Sequence, residues 1–376
     1  MQVAVAIDSF KGSLTTFEAG EAVAQGVKRV YPNAQVHVCP IADGGEGTVS
    51  AIITATGGQM REIIVTGPLG EKITASYGLI PSRQTAVIEM ATAAGLPLVE
   101  TEKRNPLYTT TYGVGEMIKD AIAQGCRQLI VGIGGSATND GGVGMLQALG
   151  FAFLDKDGNQ VPFGAIGLKD IAKINTENAL KELQNCHFQV ACDVKNPLCG
   201  ANGASYIYAR QKGATDEDIA QMDEWLQGYA NLTKTVFENA DENAEGAGAA
   251  GGLGFALLSY FSAKMQSGID LVIKETGLEE YIKNADVVVT GEGRLDGQSV
   301  MGKAPVGVAK LAKKHGKRVI AFSGCIGDNA RACNEYIDAY FPIVPRPCSL
   351  EEAMQRENAF ENLKNTAEQV FRLIKV

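Results

Sequence analysis

The sequence predicts an α/β protein with a doubly wound, mostly parallel sheet in one domain and a second, inserted α/β domain containing mixed or antiparallel strands. Three observations carry this prediction. Short runs that are apolar on both faces, at 3–7, 129–131, 286–290 and 318–324, alternate with helical patterns, as in a parallel sheet covered on both sides. Residues 61–90 instead hold two or three strand-like runs joined by turns, with no helix between them, which is an antiparallel signal. The chain of 376 residues also exceeds one usual domain of ~100–200 residues.

Residues 3–7 form a β-branched run ending in the polar loop Asp8-Ser9-Phe10-Lys11-Gly12. Thr15 and Glu18 then have capping-box spacing, and Phe17, Ala22, Val23, Val27 and Val30 recur at helical intervals until Pro32 stops them. A second strand at 36–39 completes a βαβ unit and ends at Asp43-Gly44-Gly45. After the antiparallel stretch, Val114, Met117, Ile118, Ala121 and Ile122 stripe a helix closed by Gly125, ahead of the strand at 129–131 and the loop 132–144. Another strand is expected at 188–193. Thr215 caps a helix over 215–238 that carries Ile219, Met222, Leu226, Tyr229 and Leu232 on one face, and 242–252 reads as a Gly/Ala-rich loop. The last helix, capped by Ser349 and Glu352 and striped by Met354, Leu363, Val370 and Phe371, is expected on the parallel sheet. These elements assign 1–60, about 105–195 and about 270–376 to the parallel domain, and about 61–104 and about 196–269 to the second.

Composition narrows the function. The net charge is −9 with a pI near 5.1, and no basic run could track a phosphate backbone, so nucleic acid is not an expected partner. No stretch reaches the ~18 apolar residues of a membrane span, and the first run meets Asp8 without a basic flank, so it reads as a strand and not a signal peptide. Eight cysteines without a C-x-x-C pair indicate neither a zinc knuckle nor a disulfide framework, and a reducing cytoplasm is the expected setting. His37, His187 and His315 lie too far apart for a local metal pattern. Catalysis is left to carboxylates, lysines and backbone.

Glycine is the outlier, at 44 of 376 residues against an average near ~7%. Three loops share a G-G-x-G core, at 43–47, 140–144 and 251–254, each ahead of an apolar helical stretch. Such loops let backbone N–H groups converge on an anion, although each is equally a tight turn between strand and helix. Gly132-Ile133-Gly134-Gly135-Ser136-Ala137 fits a dinucleotide fingerprint with Asp155 downstream, but a polar segment follows where the helix belongs. Residues 297–304 approach a P-loop yet place Ala304 where Ser or Thr would ligate magnesium; Lys303, before Pro305, remains a phosphate contact. Acids recur at strand ends (Asp8, Asp43, Asp140, Asp193, Glu292, Asp296), with Lys11, Lys195, Lys212, Arg294 and Lys303 beside them in sequence. Together they suit Mg·ATP and an anionic acceptor, while any one acid alone is as readily a cap or turn residue.

The motifs IDSFKGSLT (7–15), PIADGGEGT (40–48), GPLG (67–70), IEMATAAGLPLV (88–99), NPLYTTTYGVGE (105–116), GIGGSATNDGGVGMLQALG (132–150), ACDVKNPLCG (191–200), QKGA (211–214) and TGEGRLDGQSVMGK (290–303) span nearly the whole chain. Together they resemble the bacterial glycerate kinase family. The resemblance implies ATP-dependent phosphorylation of D-glycerate to 2-phosphoglycerate, a magnesium requirement, and a Rossmann- or flavodoxin-like parallel domain beside a separate α/β domain. One departure is Tyr208-Ala209-Arg210 before QKGA, where a Gly-Pro pair is expected.

The roles follow from chemistry. Lys11 is expected on phosphate, and Gly134, Gly135, Ser136 and Thr138 around the nucleotide or its product, with Lys303 as a further phosphate contact. Asp193 is the expected general base, kept ionised by Lys195. Asp43 with Glu46, or Asp296, would hold magnesium. Asp8, Ser9 and Arg294 are expected on the substrate, Arg294 clamping its carboxylate with a two-pronged fork. Two alternatives stand beside the kinase: an NAD-dependent hydroxy-acid dehydrogenase, and a non-catalytic binding protein for a small hydroxy acid. A monomer and a homodimer are both left open.

Overall fold

The structure, a computed structural model, describes residues 1–375. Thirteen strands follow one another among the described residues: β1 (Gln2–Ile7), β2 (Gln35–Val38), β3 (Gln59–Thr66), β4 (Lys72–Ile80), β5 (Thr85–Glu89), β6 (Gln128–Gly132), β7 (Ala152–Leu154), β8 (Lys173–Asn175), β9 (His187–Ala191), β10 (Lys264–Gln266), β11 (Val287–Leu295), β12 (Arg318–Ile326) and β13 (Ala339–Pro342). They divide between two units. Unit 1 comprises residues 1–43, 50–56 and 269–376; unit 2 comprises 44–49 and 57–268.

Unit 1 holds a five-stranded sheet in the order β13-β12-β11-β1-β2, and every pairing in it is parallel. Val3, Val5 and Ile7 join Val289, Ile320 and Phe322 in one core with the helices Thr16–Val30 and Arg356–Ile374. The opposite parity, Ala4, Ala6, Val288 and Ala321, is equally buried, so both faces of the sheet are covered. The capping box is present: Thr15 accepts from the Glu18 N–H, and the Glu18 carboxylate accepts from the Thr15 N–H. The expected C-terminal helix is broken at Gln355 into Leu350–Met354 and Arg356–Ile374, with Ser349 capping only the first piece.

Unit 2 holds a six-stranded sheet, β10-β9-β6-β5-β4-β3, and the two-stranded pair β7-β8. From β10 to β5 the pairing is parallel, and from β5 to β3 it is antiparallel, as the turn-linked run at 61–90 predicts. The expected boundaries need two corrections, the first being that 44–49 and 57–60 fall in unit 2 and not with the rest of 1–60. Residues 105–195 belong to unit 2 and not with the termini, because β6 and β9 pair with each other and with β5 and β10. A doubly apolar run marks a buried parallel strand without saying which sheet buries it. The chain still starts and ends in unit 1, with unit 2 inserted.

Candidate active site

In unit 1, β1 runs on to β2 in one direction, while β11 runs on to β12 and β13 in the other. The strand order therefore reverses between β1 and β11. In an open α/β sheet the crevice outside the carboxyl ends at such a reversal is the usual ligand site. Asp8 follows β1, Asp43 follows β2, and Glu292 and Arg294 lie at the C-terminal end of β11. With Ser9, Lys11 and Lys303 they line a cavity of about 770 Å³.

The acids of this cavity crowd one another. Asp8 is buried, and its Oδ1 accepts from the Ser9 N–H at 2.7 Å. Burial first, and then the neighbouring Asp43, push its carboxyl up to about 7 against the pull of Lys11. Burial also raises Glu292, which accepts from the Ser299 hydroxyl and lies 3.9 Å from the Lys303 ammonium. Lys303 is the N-cap of the helix Ala304–Lys314, with a proline in its first turn, so its position combines a cation with the positive end of a helix. Arg294 pairs with Asp296 at 3.2 Å and is 61% exposed.

Unit 2 carries the loop after β6. Gly134 and Gly135 are exposed, and Gly135 has φ +74°, a conformation that a side chain would strain. Lys212, 2% exposed, donates to the Ser136 hydroxyl at 2.9 Å and to the Thr138 carbonyl at 2.6 Å. Burial pulls its ammonium down to about 7, opposed by the charge of Asp140. Asp140 itself accepts from the Thr111 N–H and hydroxyl, both at 2.8 Å, from Gly142 N at 3.1 Å and from Gly144 N at 3.3 Å. Gly251 closes on the same loop: its carbonyl accepts from Gly141 N at 2.9 Å, and a Cβ there would stand 2.1 Å from the Thr138 oxygen. Asp193, exposed beyond β9, accepts from Gly268 N through Oδ1 at 2.9 Å.

Several expectations change on this geometry. Thr138 has no exposure and its hydroxyl has no partner among the described residues, so it meets a ligand only if the loop opens; its carbonyl instead anchors Lys212. Lys195 directs its charge to Glu245 at 3.0 Å, both side chains being largely exposed, because the chain beyond β9 carries it to the surface. Of the magnesium candidates, Asp43 lines the unit 1 cavity, while Glu46 is exposed and helps burial to raise Glu89. Asp296 is engaged by Arg294, so that guanidinium already has a carboxylate partner within its own loop. The dinucleotide fingerprint fails, since the next helix begins only at Val143 and Asp155 sits in an exposed turn, accepting from Asp157 N and Asn159 N. Glu292 and Lys212 are visible in the sequence only as members of the charged pattern; their places inside TGEGRLDG and QKGA are the signal that marks them.

Paired carboxylates and lysines at the reversal of a doubly wound sheet, with no dinucleotide fingerprint and no histidine among them, define an α/β enzyme of the phosphate-handling kind. The comparisons with known proteins are specific. The family model described as the glycerate kinase family matches residues 3–375. Glycerate kinase of Halalkalibacterium halodurans is 48% identical, over 94% of this chain and 93% of its own. Glycerate 2-kinase of Escherichia coli K12 is 45% identical, over 96% and 95%. The crystal structure of a protein assigned as glycerate kinase 2 from Salmonella typhimurium LT2 superposes with a TM-score of 0.91 at 43% identity, covering 100% of this chain and 98% of that one. The chain belongs to the glycerate kinase family.

Proposed function

We propose that this enzyme transfers the γ-phosphoryl group of ATP to the 2-hydroxyl of D-glycerate. The observation that carries the reading is the cluster of Asp8, Asp43, Glu292, Lys11 and Lys303 around one cavity at the reversal of the unit 1 sheet. The relative named glycerate 2-kinase supports the choice of hydroxyl. Phosphoryl transfer asks the protein to align donor and acceptor and to neutralise charge on the transferring oxygens. Lys11 and Lys303 do the second in unit 1. In unit 2, the Gly134 and Gly135 N–H groups and the Ser136 hydroxyl receive an anion, either nucleotide phosphate or the phosphorylated product. Lys212 donates to the Ser136 oxygen, which turns the Ser136 proton outward to the ligand.

No group of three or more His, Cys, Asp and Glu among the described residues makes a metal site alone. Magnesium usually takes one or two carboxylates and completes its shell with phosphate and water. Asp8 and Asp43 fit that need, because their mutual repulsion in a buried place is relieved by a cation. Bound there, the ion would neutralise phosphate charge. Asp193 is the proposed base for the glycerate hydroxyl, one oxygen being fixed by the Gly268 N–H. No helix of the described chain is long and apolar enough to cross a membrane. The eight unpaired cysteines support a reducing cytoplasm as its place of work.

The test follows ADP release by the purified chain with ATP, magnesium and D-glycerate, and the product by phosphorus NMR. Release of ADP with 2-phosphoglycerate as the major species is expected, while 3-phosphoglycerate as the major species refutes the regiochemistry. Asp193→Asn should lower kcat by ~10²-fold or more; near-normal turnover would leave Asp193 as the cap of Gly268.

A further inference from the structure

The cavity of unit 1 has two unlike ends. One is charged, with Asp8, Asp43, Lys11 and Lys303; the other is apolar and is built from Ile326, Ile343, Val344, Leu350, Ala353 and Met354 at the ends of β12 and β13 and on the short helix Leu350–Met354. Three of these apolar side chains are open to solvent: Leu350 is 75% exposed, and Ile326 and Met354 are each 36% exposed. Single exposed apolar residues need no explanation, but several converging on one cavity mark a binding surface. The break at Gln355 sets Leu350–Met354 apart from the helix that follows.

Resting on the kinase reading, we propose that the adenine ring of the nucleotide lies against this apolar wall, with its phosphates toward Lys11 and Lys303. Glycerate cannot use the wall, since each of its three carbons carries oxygen and it has no apolar face to bury. Adenine is the flat, weakly hydrated part of the two reactants. The spacing agrees: β12 and β13 are the two strands beyond β11 on the side away from β1, so at ~4.8 Å per strand the wall reaches roughly 10 Å from the reversal where the acids sit. That separates base from transferring phosphate along the cavity and leaves the charged end to the triphosphate.

Binding of ADP and of inorganic tripolyphosphate to the full chain, each by competition with a fluorescent ADP analogue, tests this. Ala353→Trp fills the apolar wall and should weaken ADP by about tenfold or more while leaving tripolyphosphate within about twofold. Leu350→Ser, at a position too exposed to affect folding, should weaken ADP by about threefold with tripolyphosphate again unmoved. ADP affinity unchanged in both variants, or ADP and tripolyphosphate weakened in parallel, overturns the placement of adenine. If the wild-type chain binds neither probe, the kinase reading falls first and this inference with it.

Discussion

Asp8 in unit 1 and Asp140 in unit 2 begin as the same observation: a buried acid in the loop that follows a strand, Asp8 directly after β1 and Asp140 further along the loop after β6. Burial raises both carboxyls. Their surroundings then diverge. Four donors from Thr111, Gly142 and Gly144 converge on Asp140, opposing the effect of burial and fixing the loop that carries it. Asp8 takes the Ser9 N–H and otherwise faces Asp43 and Glu292 across a cavity. A buried acid answered by backbone is architecture, and a buried acid facing other acids is a place for a cation or a proton to come and go.

The largest effect that would sharpen this contrast is expected from Asp8→Asn, which should reduce kcat/KM by at least ~10²-fold, the scale of losing an electrostatic contact to the reacting groups. Its stability should move the other way. The Asp8 carboxyl lies near 7 in the folded chain against an ordinary 3.8, so the folded state holds the proton across that window. Wild-type stability is then complete below pH 4 and falls as the pH rises through 7. In metal-free buffer at pH 8 the Asn variant, which cannot ionise, should be the more stable by up to ~4 kcal/mol, measured by urea denaturation. A variant less stable than wild type at pH 8 would break the contrast with Asp140.

Asp140→Asn should do the reverse. An amide offers one acceptor oxygen to donors arranged for two, so a loss of about 3 kcal/mol in urea is expected, with turnover of the folded fraction kept within a few-fold. A loss below ~1 kcal/mol would show that the four contacts are dispensable.

A smaller effect concerns Lys212. Its folded value of about 7 lies below the ordinary 10.5, so the folded state binds fewer protons than the unfolded chain between those limits and gains stability as the pH rises from 7 to 10. Lys212→Met should flatten that rise, read as the urea midpoint against pH. An unchanged slope would mean that another group titrates there.

Arg294→Lys is expected to change least. The guanidinium is mostly exposed and already pairs with Asp296, so a glycerate KM raised by less than about tenfold is the outcome consistent with a shared clamp. No change in KM would confine Arg294 to shaping its loop.

Much of unit 1 was legible because its signals are local. The Thr15–Glu18 box, the apolar run into Asp8 and the stop at Pro32 each act within a few residues, and the structure keeps all three elements. The assignment of β6 and β9 to the wrong sheet has a different origin: partners such as Gly132 and Ala191 are chosen by tertiary contact, and the apolar run is the same in either sheet. The site divides in the same way. Asp8, Lys11 and Asp43 could be picked out because strand ends can be read from sequence. The burial of Thr138, the pairing of Lys195 with Glu245 and the hold of Lys212 on Ser136 all depend on segments distant in the chain, and no spacing rule reports them.

The pairing of β1 with β11 also has a consequence for synthesis. The Gln2 N–H donates to Asp286, 284 residues further along, and Val3 stands opposite Val287. At ~5–20 residues per second, the first strand leaves the ribosome roughly 15–60 s before its central neighbour exists. Every strand of unit 2, from β3 to β10, is made during that wait. The nascent chain therefore carries the apolar strand β1 with its β11 side unpaired while the inserted unit is completed, and this interval is when a chaperone has most to shield. Translation arrested between residues 268 and 287 would leave all strands of unit 2 present and only two of the five strands of unit 1.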